Sequence, residues 1–425
     1  MKKAIVVGSG AGGATVAREL QGKFSVTILE AGREFRPFAL NLSLPERLKK
    51  SGLFFDERLI QLLCPAMKIR KSNEGLILVN GVALGGSTAL STGSAVRVDQ
   101  DLKELGIDLD VEFEEIYREI PVSTGHLKLW HKTTKRLFEI CKEMNLAPRP
   151  TPKMVNYDLC LNCGRCTMGC PQGAKWDSRQ FLQTALDGGA HLITSCRVEK
   201  VLIKEGMAAG VQARMGWQRK FFPADLIILA AGGLATPLIL QNSGIACDSN
   251  LFVDPVLCVA AEWKESLQNK EIPMPFIVQK ENFILAPYFD HLSFFFNKDW
   301  KFPARNTLGI MIKLADSNTG TISGKKIQKA LTEQDKKRLA AGVEICTDIL
   351  TRLGVEKDRI FLGSINAGHP GGMLRLTRQE AETLHNGRLP ENLYVADATL
   401  FPESTGNPPI LTIIALAKRI SKLCS

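Results

Sequence analysis

A glycine-rich turn set between a short apolar run and a helix-compatible stretch constrains this chain more than any other feature. Ala4 to Val7 (AIVV) is continuously apolar, the pattern of a strand buried on both faces. Gly8-Ser9-Gly10-Ala11-Gly12-Gly13 follows, giving G-x-G-x-x-G at Gly8, Gly10 and Gly13. Ala14 to Leu20 is compatible with a helix, and Phe24 to Leu29 reads as a second strand ending in Glu30, 22 positions after Gly8. In such a unit the first glycine permits the tight turn, the second lets backbone approach a pyrophosphate, and the third lets helix and strand pack closely. Free N–H groups and the dipole at the helix start favour the phosphates, and the acid at the end of the second strand is placed to accept from a ribose hydroxyl. The motif predicts a dinucleotide-binding α/β unit. It does not choose between a flavin and a nicotinamide, and Ala31-Gly32-Arg33 does not decide it.

The 425 residues allow two or three domains. With 45% hydrophobic and 23% charged residues the chain reads as globular, which excludes global disorder and fibrous repeats. Net charge is +10, too diffuse over this length to predict nucleic-acid binding. The apolar start stops at Gly8, too short for a secretory signal, and the stretch Leu226 to Leu240 is broken by Gly232, Gly233 and Pro237, so no transmembrane segment is expected. Eleven cysteines cannot all pair, and a chain of this size is no small disulfide scaffold. A cytoplasmic, reducing location is the expectation.

Three more segments bear on the cofactor. One is the loop Asn80-Gly81-Val82-Ala83-Leu84-Gly85-Gly86-Ser87-Thr88. The second is Ala224 to Ile245, an apolar strand, a Gly232-Gly233 turn and a helix. The third is Asn392 to Ile420, a strand ending at Asp397, a Pro/Gly/Asn loop and a long helix. Together with the opening motif and in this order, they resemble the glucose–methanol–choline (GMC) family of FAD-dependent oxidoreductases. The resemblance covers both chain ends and the middle, and is loose over residues 251–364.

It implies a Rossmann-like FAD-binding domain (1–250, with a cysteine-rich loop at 156–175), a smaller antiparallel-sheet substrate domain (251–364), and a return to the FAD-binding domain (365–425). It implies that Gly8, Gly10, Gly13 and Glu30 hold the ADP half of FAD, and that Gly85, Gly86 and Ser87 approach the pyrophosphate and flavin. Val198 would meet the adenine through its backbone, and Asp397 the ribityl or pyrophosphate region. Family members commonly carry Asn-Gly four and five positions after the loop serine, where this chain has Ser91-Thr92. The family's active site is a His with a His or Asn, matched here by His369 in Gly368-His369-Pro370-Gly371-Gly372 and by Asn407 in Gly406-Asn407-Pro408. The chemistry is coherent. Hydride transfer from an alcohol carbon requires loss of the hydroxyl proton, which a histidine of ordinary pKa about 6.5 is suited to accept. An asparagine can orient the same hydroxyl without titrating. His126, His131, His191, His291 and His385 have no comparable setting.

Cys160-x2-Cys163-x2-Cys166-x3-Cys170-Pro171 has ferredoxin-type spacing. The pattern predicts a [4Fe–4S] cluster. Zinc is an alternative, although two separated pairs suit it better. A metal-free loop is another, since GMC relatives keep a loop like Gly169 to Lys175 without iron. In two-cluster ferredoxins the cysteine before proline serves the other cluster. Here Cys170 is expected to close the site with Cys160, Cys163 and Cys166, the alternatives being Cys64, Cys141, Cys196, Cys247 and Cys258. A cluster would make the protein a dehydrogenase passing electrons to a redox carrier protein.

The expected function is oxidation of a CH–OH donor, with a small alcohol or carbonyl compound as substrate. The alternatives are a flavin/iron–sulfur electron-transfer module without substrate chemistry, a reductase running in the opposite direction, and a NAD-binding dehydrogenase. Elsewhere, Leu53 to Phe55 and Leu59 to Leu63 fall where the family covers its flavin. Phe276 to Val278, Phe283 to Pro287, Leu292 to Asn297 and Gly309 to Leu314 read as strands. Thr332-x-x-Asp335 resembles a capping box opening a solvated helix that runs through Leu353, and Lys418, Arg419 and Lys422 suit the end of an amphipathic helix 410–423.

Overall fold

The computed structural model describes residues 1–38, 46 and 64–424. The segment expected to cover the flavin, Leu53 to Phe55 and Leu59 to Leu63, lies outside the described residues.

The opening reads as predicted. Strand β1 (Lys3–Val7), helix α1 (Ala11–Glu19) and strand β2 (Ser25–Leu29) form a βαβ unit. β1 is central in a five-stranded parallel sheet, flanked by β2 and by the strand Leu226–Leu229. Beyond these lie His191–Ile193 on one side and Leu393–Val395 on the other. Parallel strands need both faces covered. α1 and the C-terminal helix Ile410–Leu423 share one apolar core with this sheet, through Val16, Leu20, Leu411 and Ile414. The turn after β1 and the start of the last helix both line one cavity, at the carboxyl edge of the sheet, where open α/β folds bind ligands.

The second large sheet has nine strands and is mainly antiparallel. Its centre is Pro255–Glu262, Thr307–Leu314 and Phe283–Pro287, and it also takes in Met67–Lys71, Ile77–Gly81, Arg149–Pro150 and Asn366–Ala367. One face packs on the helix Glu333–Leu353 through Leu339, Cys346, Ile349 and Leu350. The capping box forms as expected, with Thr332 Oγ1 accepting from the Asp335 N–H at 3.1 Å and the Asp335 carboxylate accepting from the Thr332 N–H at 2.9 Å. The helix is not simply solvated, because its apolar stripe is core. The architecture is that predicted, a Rossmann-like layer joined to an antiparallel substrate-side sheet.

Two further expectations change. Leu292 to Asn297 is not a strand, since His291–Phe296 is a short helix. Asp290 caps it by accepting from the Leu292 N–H, and Phe294 and Phe295 pack with Phe289 and Trp300, so capping and burial override the β-propensity of three phenylalanines. Lys418 does not serve the end of its helix. Its ammonium is buried, 2% exposed, and donates to Glu19 and Glu119 at 2.9 and 3.0 Å. Arg419 and Lys422 both bind Glu112. The three cations tie the last helix to α1 and to the helix Asp110–Glu119. Among the described residues no helix is long and apolar enough to cross a membrane.

Replacing one partner of a buried pair leaves the others uncompensated and costs about 3 kcal/mol. Lys418→Met is expected to lower stability by about that amount, read as a reduced urea midpoint, whereas Lys336→Met, in a fully exposed pair with Glu333, should leave it unchanged.

Candidate active site

The glycine turn is shaped by close approach. Gly8 takes a left-handed φ of 99°, and a Cβ there would stand 2.4 Å from the Ala230 carbonyl oxygen. A Cβ on Gly13 would stand 2.0 Å from the Gly8 carbonyl oxygen, so helix and strand touch where the third glycine was expected to let them. Gly10 differs, because its nearest neighbour is the Gly86 Cα at 4.0 Å. The two glycine loops thus face each other and leave room between them. Glu30 is fixed beside them, accepting from the Ser9 N–H and hydroxyl at 2.9 and 2.7 Å and from the Gly32 N–H at 2.7 Å. Oε1, with the single Gly32 donor, keeps accepting capacity for a further one.

The second loop is held from below. Ser87 Oγ accepts from the Gly81 N–H at 3.0 Å, and the buried Lys175 ammonium donates to the carbonyls of Thr88, Ala89 and Ser91 at 2.9, 2.9 and 3.0 Å. That explains how Ser91-Thr92 is positioned although it departs from the family pattern. Asp397 accepts from the Gly232 N–H and Thr236 hydroxyl with one oxygen and from the Thr399 N–H with the other. Its role here is to pin the turn after Leu226–Leu229 to the C-terminal strand. Burial pushes its carboxyl up against those hydrogen bonds.

A single cavity of about 880 Å³ runs between these groups. Gly8, Gly10, Glu30, Gly86, Ser87, Val198, Asp397 and His369 all reach its wall, while Gly13, Gly85 and Asn407 stand behind it. The volume lies in the range of cofactor and ligand sites. The wall fits FAD: a glycine-walled cleft at a helix start, an acid where a ribose would lie, and a buried polar atom, Asn80 Oδ1, without a partner among the described residues.

At the far end of the cavity sits a buried charge cluster. His369 is part-buried, with Nδ1 3.6 Å from Asp254 Oδ2. Asp254 also pairs with the Lys313 ammonium and accepts from the Ser404 hydroxyl, the Thr405 hydroxyl and the Gly406 N–H. One carboxylate therefore links the His369 loop to the loop that ends in Asn407. Burial alone would raise Asp254, but the Lys313 ammonium and His369 outweigh it and hold the carboxyl well below the usual range. Desolvation first, and Lys313 second, push His369 below its ordinary value against the pull of Asp254. The imidazole is accordingly neutral at pH 7, and with Nδ1 turned toward Asp254 it leaves Nε2 for a ligand. The arrangement can accept a proton from a hydroxyl group.

The sequence reading missed Asp254 and Lys313. Each is a lone charge inside an apolar run, Leu251 to Leu257 and Gly309 to Leu314, and that was the available signal. It also set aside His291. This histidine lines the cavity with Met274, Phe295 and Met311, and its buried Nε2 has no partner. Burial lowers it to about 4, so it is a neutral hydrogen-bonding group.

The cysteine run does not present a ready ligand set. All eleven cysteines are free, and among the described residues no three His, Cys, Asp or Glu side chains come together to hold a metal ion. The backbone turns sharply between the cysteines, with Asn162 and Gly164 left-handed and a 3-10 turn at Cys166–Met168. Of the more distant candidates, Cys141, Cys196 and Cys258 are packed into hydrophobic cores.

The differing space around the glycines generates a test. Gly13→Ala should fail to fold, because its methyl meets backbone. Gly10→Ala should keep the fold, seen by circular dichroism, and lose FAD, because its methyl enters the cleft.

Known proteins agree with this geometry. The family described as GMC oxidoreductase matches residues 2–257. An uncharacterized protein of Methanocaldococcus jannaschii is 29% identical over 422 residues, covering 97% of each chain. A long-chain-alcohol oxidase of Arabidopsis thaliana is 23% identical over 501 residues, covering 97% of this chain and 67% of its own. The crystal structure of a pyridoxine 4-oxidase from Mesorbium loti superposes with a TM-score of 0.72 at 15% identity, covering 99% of each chain, and so shares the fold. With a dinucleotide cleft, a cavity ending at a histidine and a family match over more than half its length, the chain belongs to the GMC oxidoreductase family.

Proposed function

We propose that the protein is an FAD-dependent oxidoreductase acting on a CH–OH donor, with residues 1–250 and 365–425 holding the cofactor and 251–364 facing the substrate. The observation that carries this reading is a neutral imidazole, His369, held by a buried carboxylate at one end of a cavity whose other end is a dinucleotide cleft. Gly8, Gly10, Gly13 and Glu30 would hold the ADP half, Val198 the adenine, and Gly85, Gly86, Ser87 and Asp397 the pyrophosphate and ribityl region. FAD, when bound, supplies at flavin N5 an acceptor for hydride.

The chain's own residues supply the rest. The substrate carbon lies in the apolar end of the cavity among Val256, Met274, Phe295 and Met311. His369 Nε2 takes the hydroxyl proton as the C–H bond gives up its electron pair, leaving a carbonyl product. Asp254 fixes the ring and stabilises the imidazolium that forms. Asn407, with its Oδ1 unpartnered, positions the same hydroxyl. The long-chain-alcohol oxidase relative supports an alcohol as substrate. A Lys–Asp–His cluster built for proton transfer favours substrate chemistry over a module that only transfers electrons.

The cysteine loop supports a dehydrogenase that delivers its electrons to a carrier protein, since Thr167 and Met168 of that loop form part of the cavity wall. Dioxygen as acceptor is the second reading, favoured by the oxidase names of the relatives. The free thiols suit a reducing, cytoplasmic compartment.

Removing a general base costs about 10²- to 10⁴-fold in rate. His369→Ala should retain FAD and lose kcat by that factor. In the parent protein kcat/KM should rise with pH as His369 deprotonates, with a midpoint below the ordinary 6.5 and a plateau above it. Lys313→Met removes a charge that depresses the imidazole, so the acid limb should move to higher pH. An unmoved limb would dissociate Lys313 from the base.

A further inference from the structure

We infer that the loop Leu159–Cys170 is the seat of a [4Fe–4S] cluster set against the wall of the flavin cavity. The inference rests on the proposed function only for the cluster's use, not for its presence.

Four observations carry it. First, the thiols have no part in the fold. Cys141, Cys196, Cys258 and Cys346 belong to hydrophobic cores, whereas Cys160, Cys163, Cys166 and Cys170 are half-buried, unpaired and outside every core cluster. Free cysteine is ordinarily a small hydrophobe, and four in eleven residues that do no packing require another reason.

Second, the residues between the cysteines anchor the loop, so the thiols need not. Asn162 donates to the Leu129 carbonyl at 3.0 Å and accepts from the Ile272 N–H at 3.1 Å. A Cβ on Gly164 would stand 2.2 Å from the Asn269 carbonyl oxygen, and one on Gly169 would stand 2.5 Å from the Phe35 ring. Each spacer therefore holds one point of the loop against a different neighbour, and the chain between those points is bent to carry the cysteines.

Third, two buried cations stand behind the loop. Lys153 and Lys175 are fully buried, and among the described residues no carboxylate is in hydrogen-bonding contact with either ammonium. Both lie close enough for their charge to act on Cys166. A cluster with four thiolates is anionic, and its net charge and surroundings set its potential. Two fixed ammonium groups offset that charge.

Fourth, the loop reaches from inside to outside. Thr167 and Met168 line the cavity, while Leu159 and Leu161 are 52% and 69% exposed at the other end. Among the described residues these thiols form no set of three that could hold one metal ion, as a single zinc requires. In a cubane each thiolate bonds its own iron, so its four ligands surround a volume and do not share a point.

The test uses the full chain, purified without oxygen and also reconstituted with ferrous iron and sulfide. Iron, acid-labile sulfide, zinc and flavin are measured per chain, with electron paramagnetic resonance after chemical reduction. About four irons and four sulfides per chain are expected. Cys163→Ser and Cys166→Ser should lose the iron and keep the flavin, and Cys247→Ser should keep both. As a second measurement, the four thiols should resist alkylation in loaded protein and react after chelation. Iron no higher in the parent than in Cys163→Ser, zinc in place of iron, or alkylation unaffected by loading would each overturn the inference. Iron and sulfide without flavin would uphold it and defeat the oxidoreductase reading.

Discussion

The carboxylate of Asp254 is the point on which the substrate end of the molecule depends. It is fully buried, yet it carries the Lys313 ammonium, the His369 ring and three donors from the segment Ser404–Gly406. A buried carboxylate with this many partners tolerates desolvation that an isolated one would not. Its backbone is left-handed, with φ of 52°, a conformation a non-glycine residue adopts only when its surroundings impose it. The consequence is geometric. The strand Pro255–Glu262 from the antiparallel sheet, the His369 loop, and the Asn407 loop preceding the last helix are all referred to one group. The imidazole is held by charge on one side and left free on the other.

The dinucleotide end is organised by a different force, the exclusion of side chains. Gly8 and Gly13 allow backbone to touch backbone, and Gly10 faces Gly86 across the space that remains. Lys175 spans three carbonyls of the second loop, doing for that loop what a bound cation would do. That lysine closes the segment that begins with the cysteine run, so the shape of the cleft and the placement of the thiols are mechanically connected.

How much of this could be read beforehand follows from sequence distance. The βαβ unit and Glu30 were legible because β1 pairs with β2, Gly13 meets Gly8, and Glu30 meets Ser9 and Gly32, all within thirty residues. The capping box at Thr332 and Asp335 was legible for the same reason. His369 and Asn407 were found through their motifs, but what connects them was not, because Asp254 and Lys313 are 59 residues apart and pair across strands. Neither position looks special alone; each is one charge in an apolar run. Leu292 to Asn297 was misread because aromatic residues satisfy a strand and a buried helical turn equally, and Asp290 decided the matter. Lys418 was misread because its acidic partners lie on helices some three to four hundred residues earlier. The cysteine spacing was legible as a pattern, and among the described residues its thiols form no ligand set for a single metal ion.

The most direct measurement is equilibrium titration of the flavin-stripped chain with FAD and, separately, with FMN. Saturation at about one FAD per chain is expected, with binding at least about tenfold tighter than FMN, because the Glu30 and Val198 end contributes contacts that FMN cannot make. Failure of the folded chain to take up FAD, or equal affinity for the two flavins, would contradict it.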